Sequence, residues 1–200
     1  MLVAGLTGNF GMGKTYVLSV FRDLGAVTVE SDRVVGILLN EAKVIGRMAE
    51  LLGEEVVGPD GKLDKKAIAA KIFSNEKLKA DVEAFIHPLV LARIDDFIRK
   101  IRRGETVVVV EVPLLFEGAY QERFKRIITV YTTEETAVER LILSGCARTD
   151  ALTRLRNQLP IEIKKRRADY TVDNSGPKEE TRKQVETIYR LLIEEMKRDA

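Results

Sequence analysis

Cysteine is almost missing from this 200-residue chain: Cys146 is the only one. No intramolecular disulfide can form, which suits a reducing cytoplasm. With no base partner in view, that thiol reads as buried or incidental rather than as a nucleophile. Net charge is nearly absent too. The 33 basic and 31 acidic residues leave +2, which gives no reason to propose a nucleic-acid partner. No apolar run is long enough to cross a bilayer, and the densest, Val107 to Val110, is far too short. No charged segment with an apolar core precedes the first motif, so neither a cleavable signal nor a membrane role is expected. Repeats and low-complexity linkers are also lacking, which points to one domain over residues 1–200. Hydrophobic residues make up 45 %, enough to fill the core of a single α/β domain.

What is present is concentrated near the start. Gly8-Asn9-Phe10-Gly11-Met12-Gly13-Lys14-Thr15 matches G-x-x-x-x-G-K-[ST] in full. Glycines let the backbone turn so tightly that successive N–H groups point inward and form an anion nest. Lys14 would bring a point charge to the β- and γ-phosphates, and the Thr15 hydroxyl would ligate Mg²⁺. The flanks agree. Leu2 to Leu6 reads as a short buried strand, and Val17, Leu18, Phe21 and Leu24 fall at helical spacing. Strand, glycine loop and helix N-terminus together put phosphate where backbone donors and helix dipole both favour it.

Further along, strand and helix signals alternate, which argues for a parallel sheet covered on both faces. Ala26 to Val29, Thr106 to Val112, Arg126 to Tyr131 and Tyr170 to Val172 read as the remaining strands. Between the second and third, residues 33–103 read almost wholly helical. Asp64 caps a helix through Phe73, Ser74 or Asn75 caps another running toward His87, and a further helix starts at Pro88 and closes at Gly104. So long a helical stretch exceeds one crossover and reads as an insertion over the carboxyl edge of the sheet. Thr132 with Glu135 forms a capping box for a helix through Ser144, with Gly145 as its C-cap. Asp173-Asn174-Ser175-Gly176 turns into a terminal amphipathic helix.

Several side chains gather at the expected carboxyl ends of strands. Asp32 is either a carboxylate that orients or accepts the proton of an acceptor hydroxyl, or the N-cap of a helix starting at Arg33. Glu111 ends the most buried-looking strand, where it serves either Mg²⁺ or a structural salt bridge. Residues 148–167 are rich in arginine and lysine. Most of that run reads as a solvated helical face, but phosphoryl transfer needs cations over the γ-phosphate and a lid would draw them from here. His87 stands before Pro88, where it contacts substrate phosphate or packs in a helix break; with no second ligand or base in view, packing is the better reading.

In order along the chain, these pieces resemble the dephospho-coenzyme A kinase family. The resemblance runs from Gly5-Leu6-Thr7-Gly8 into the phosphate loop, then through Asp32, Ile86-His87-Pro88-Leu89, Glu111-Val112-Pro113-Leu114-Leu115-Phe116-Glu117, Arg148, Gln158 and Ala168 to Gly176. The Pro-Leu-Leu-Phe-Glu segment and the Asp-Asn-x-Gly ending are its most specific parts. The chain departs from the pattern at Asn9, where Gly is usual, at Met12, where Ser is usual, at Thr15-Tyr16 for Ser-Thr, and at Glu30 for Asp. The resemblance implies a P-loop fold of the nucleotide-kinase type: a five-stranded parallel sheet, a helical substrate insertion over 33–104 and a lid over 145–168. It also implies ATP-dependent phosphorylation of the ribose 3′-hydroxyl of dephospho-coenzyme A. ATP would be held by Gly8, Gly11, Met12, Gly13, Lys14, Thr15 and Tyr16, with Thr15 and Glu111 on the Mg²⁺ side. Lys14, Asp32 and Arg148 would carry the chemistry. His87, Leu114, Leu115 and Glu117 would lie toward dephospho-coenzyme A. A cytoplasmic monomer or small homo-oligomer is expected. The alternatives are a nucleoside- or shikimate-type kinase, or a nucleotide-hydrolysing switch, although the Asn-Lys-x-Asp guanine signature is absent.

Overall fold

Apolar, β-branched runs become strands where both faces are covered, and the four consecutive valines from Val107 do so here. A computed structural model of the chain describes residues 1–73, 75–101 and 106–199. It divides into two units, Met1–Val29 with Arg103–Ala200, and Glu30–Arg102.

The first unit holds the sheet. Strands β1 (Leu2–Thr7), β2 (Val27–Glu30), β3 (Val107–Glu111), β4 (Arg126–Tyr131) and β5 (Tyr170–Asp173) lie in the order β2-β3-β1-β4-β5. The registered pairs of β1 with β3, β1 with β4 and β4 with β5 are all parallel. Every residue of β3 is buried, as a strand covered on both faces requires. On one face, helices α1 (Lys14–Asp23) and α9 (Lys178–Arg198) lay Val17, Leu18, Phe21, Val185, Ile188 and Leu192 against Leu2, Ala4, Leu6, Val107, Val109, Ile128 and Val130. Helix α9 carries Glu179 and Glu180 in its first turn and Lys197 and Arg198 in its last, both favourable to the helix dipole.

Helices α6 (Glu134–Leu143), α7 (Arg148–Arg156) and α8 (Ile161–Arg167) follow β4. The cap of α6 is Thr133, whose side chain accepts from the Thr136 N–H, and not Thr132 as its spacing from Glu135 suggested. The Thr132 N–H is occupied by Met12 Sδ at 3.2 Å, so the chain is still tied to the phosphate loop there and turns one residue later.

The second unit is helical: α2 (Ser31–Leu38), α3 (Ala42–Leu52), α4 (Lys65–Phe73) and α5 (Glu76–Lys100). Asp64 caps α4 by accepting from the Lys66 and Ala67 N–H groups at 2.8 and 3.2 Å. Asn75 caps α5 through the Leu78 N–H; the alternative cap Ser74 and the proposed stop at Gly104 lie outside the described residues. The break expected at His87-Pro88 is absent. Helix α5 runs straight through Pro88, although an internal proline forfeits a backbone bond and costs about 3 kcal/mol. Packing overrides it: α2, α3 and α4 all lie on α5, which buries Ile86, Val90 and Ile94 along one stripe. Phe97, farther along the same helix, is 45 % exposed.

Candidate active site

The phosphate loop takes its shape from what backs it. Gly8 has φ +149° and a side chain there would strike the Val130 carbonyl of β4. Gly13, the N-cap of α1, has φ +85° and a side chain there would strike the Asn174 amide nitrogen. Both positions therefore demand glycine on two counts, left-handed backbone and close approach. Gly11 lies against α6 beside the Ala137 carbonyl. Met12 points inward and is buried, while its carbonyl accepts from Asn174 Nδ2 at 3.0 Å. The Asn174 carboxamide is held in turn by the Thr181 hydroxyl at 3.1 Å. Lys14 folds back over the loop, buried, with Nζ donating to the Asn9 carbonyl at 3.2 Å. Thr15 is exposed in the first turn of α1. The Tyr16 side chain leaves the loop: its hydroxyl donates to the Lys178 carbonyl at 3.0 Å, at the start of α9.

The segment after α7 is fastened to the loop tip. The Phe10 N–H donates to Gln158 Oε1 at 2.8 Å, and Asn9 Nδ2 donates to the Leu159 carbonyl at 3.0 Å. The Arg154 guanidinium stands 4.9 Å from the centre of the Phe10 ring. Arg148, the arginine favoured by the resemblance, sits exposed at the opposite end of α7. Six residues at 1.5 Å rise put it about 9 Å along the helix from Arg154. The basic run thus delivers Arg154 to the phosphate loop.

Beyond β3 the chain folds under the loop. Glu111 is buried at the end of that strand, in register with Leu6, two residues before Gly8. The Thr7 hydroxyl donates to the Pro113 carbonyl at 3.2 Å. Leu114 is half-buried. Leu115, expected toward the acceptor, is fully buried against Gly5 and offers no surface to a ligand. Glu117, also expected there, is engaged elsewhere: its Oε1 meets Lys164 Nζ at 2.8 Å and the Leu159 N–H at 3.0 Å. Lys164, assigned by its surroundings to a solvated face, is fully buried. Burial pulls its ammonium below the usual lysine range, and Glu117 opposes that shift without cancelling it.

Asp32 and His87 belong to the helical unit. Helix α2 begins at Ser31, so Asp32 occupies its first turn, exposed, and is not its N-cap. His87 lies mid-helix in α5 and lines a cavity of about 320 Å³ with Val35, Leu39, Met48, Ile68 and Ile86. Its place is explained by an unbroken helix and not by a break.

Arg140 escaped the sequence reading altogether. From α6 its Nη2 donates to the Asn174 carbonyl at 2.8 Å. Its Nη1 is buried without a hydrogen-bond partner and lies near the space beside Gly13. A buried, unpaired guanidinium N–H beside a phosphate nest suits an anion. No motif marked it, since an arginine midway along an amphipathic helix has no local signature. Nearby, Asp173 would be raised by burial alone. Hydrogen bonds from Ser175 and the Tyr131 hydroxyl outweigh that and hold it below the usual carboxylate range.

Comparison with known proteins finds relatives along nearly the whole chain. The family model described as dephospho-CoA kinase matches residues 2–180. A dephospho-CoA kinase of Syntrophotalea carbinolica is 36 % identical over 98 % of this chain and 95 % of its own, and one of Aquifex aeolicus is 33 % identical over 98 % and 97 %. Among solved structures, a Thermus thermophilus protein superimposes with a TM-score of 0.85 at 28 % identity, covering 95 % of this chain and 96 % of that one.

Proposed function

The chain belongs to the dephospho-CoA kinase family, an enzyme of the last step of coenzyme A synthesis, and we propose that it moves the γ-phosphoryl group of ATP to the ribose 3′-hydroxyl of dephospho-CoA with the residues assembled around Gly8 to Thr15. The observation that carries this reading is the packing of that loop. Val130, Ala137 and Asn174 press on Gly8, Gly11 and Gly13, so the nest is held open by the fold, as preorganised anion binding requires.

Loop N–H groups and Lys14 neutralise the β- and γ-phosphates, and Arg140 supports the nucleotide from the side of Asn174. Arg154 reaches the transferring group from above Phe10 and takes the role expected of Arg148. Its planar fork suits two phosphate oxygens at once. The family pattern supports giving Asp32 the acceptor hydroxyl and His87 and Leu114 a part in acceptor binding. The attacking group is an alcohol, so alignment and charge neutralisation contribute more than prior deprotonation. Glu117 and Leu115 act as support for the loop and not as ligands.

Magnesium fits the donors present: the exposed Thr15 hydroxyl and the Glu111 carboxylate at the end of β3 are hard oxygen ligands of the kind Mg²⁺ takes alongside phosphates and water. Held there, it would supply positive charge to neutralise the phosphates during transfer. Residues 33–104 serve as the acceptor-binding insertion and 145–168 as the lid. A cytoplasmic setting is supported by the lone thiol, and no helix among the described residues is long and apolar enough to cross a membrane. The assignment is tested by coupled ADP release over a panel of acceptors: dephospho-CoA, adenosine, shikimate and gluconate. Turnover that needs dephospho-CoA supports it; equal turnover on another acceptor, or with none, overturns it.

A further inference from the structure

Among the described charged residues, Lys164 alone is fully buried. Enclosing an ammonium is costly unless it is paired and fully hydrogen-bonded, and an apolar side chain of similar volume would fill the space more cheaply. What the charge achieves is visible in where its bonds lead. Lys164 Nζ binds Glu117 Oε1 at 2.8 Å and the Pro113 carbonyl at 3.2 Å. The first contact continues: Glu117 Oε1 accepts from the Leu159 N–H, the Leu159 carbonyl accepts from Asn9 Nδ2, and the Asn9 carbonyl accepts from Lys14 Nζ. The second contact continues as well, since the Pro113 carbonyl also accepts from Thr7, the residue before Gly8. One ammonium in α8 therefore reaches both sides of the phosphate loop without touching it.

We propose that Lys164 is a positioning residue for phosphoryl transfer. Through Glu117 and Leu159 it fixes Asn9 and the Lys14 ammonium, and through Pro113 it fixes the start of the loop at Thr7. The same segment carries Gln158, which holds the Phe10 N–H, and follows the helix whose Arg154 lies over the Phe10 ring. Lys164 thus sets the distance between the two cations that act on the transferring group. Its burial excludes contact with substrate, and the bonds made by the Lys164 and Lys14 ammoniums and the Glu117 carboxylate are charge-assisted, which stiffens those links of the relay. The inference rests on the phosphoryl-transfer reading above.

The test is Lys164→Met in the full chain, with Leu192→Ala as a control that lowers stability from the α9 core. Three quantities are measured: kcat, KM for ATP, and amide hydrogen exchange at Leu159 and Phe10. The expected result is a fall in kcat of about tenfold to 10²-fold, as small misplacements of reacting groups produce, with KM for ATP changed far less. Exchange at Leu159 and Phe10 quickens in Lys164→Met and not in Leu192→Ala. If Lys164→Met fails to fold, the double variant Lys164→Met with Glu117→Gln removes both charges of the pair and is used instead. It retains an acceptor for the Leu159 N–H but not its anchor, so kcat stays low. Wild-type kcat in the folded single or double variant, or unchanged exchange at Leu159 and Phe10, overturns the proposal. The exchange measurement needs no acceptor, so it stands apart from any failure of the wild-type enzyme to phosphorylate dephospho-CoA.

Discussion

The Asn174 carboxamide donates to the Met12 carbonyl at 3.0 Å, and in doing so fills the space a side chain at Gly13 would need. A residue 162 positions away in sequence thereby sets the loop that binds phosphate. Gly13→Ala should lose activity altogether and melt earlier. The left-handed backbone alone costs about 1–2 kcal/mol, before the collision with Asn174 is relieved by moving the loop. Thermal melting and kcat together check this; an active, equally stable Gly13→Ala would show that the loop is not braced as described.

Arg154, rather than Arg148, should carry the lid's charge. Arg154→Lys keeps the charge but loses the planar fork, and should lower kcat by about tenfold or more, equivalent to about 1.4 kcal/mol of transition-state binding. Arg148→Lys should leave kcat unchanged. Steady-state kinetics on the two variants decide between them, and the reverse order would return the role to Arg148.

Asp32→Asn should reduce kcat by about 10²-fold with little change in KM for ATP. Asp32 lies in the first turn of α2, where losing its charge costs about 0.3–1 kcal/mol of helix-dipole stabilisation at most. A melting shift with normal kcat would leave it a purely structural role.

Asp173 gives a pH signature. Although burial opposes it, hydrogen bonds from Ser175 and the Tyr131 hydroxyl hold its carboxyl below the usual carboxylate range in the folded chain, whereas an unfolded aspartate titrates at about 3.9. The stabilisation from its ionised form is therefore fully present above about pH 4 and is lost as pH falls through the folded value. Asp173→Asn lacks it, so the melting gap between wild type and variant should be constant from pH 7 to about pH 4 and narrow below. A gap that widens in acid would contradict the assignment.

Much of the architecture is legible in the residues because local signals and burial agree. The strand Arg126–Tyr131 and the caps Asp64 and Asn75 fall where their patterns put them. The misreadings share a cause. Pro88 marks a break by local rules, but with three helices packed on it α5 stays helical across that residue. Lys164 sits in a run of basic residues, and only tertiary contact with Glu117 and Pro113 shows that it is buried. For the lid charge proposed above, Arg148 and Arg154 are equivalent by composition. What separates them is which end of α7 meets Phe10. Arg140 becomes visible only once Asn174 is brought beside Met12.

The most direct measurement is ³¹P NMR of the products formed from ATP, Mg²⁺ and dephospho-CoA. The expected result is ADP in equal amount with a single new phosphomonoester, whose phosphorus couples to the ribose 3′ proton, and neither species in Lys14→Ala. A phosphoryl group elsewhere on the acceptor, ADP with inorganic phosphate alone, or undiminished product from Lys14→Ala would contradict it.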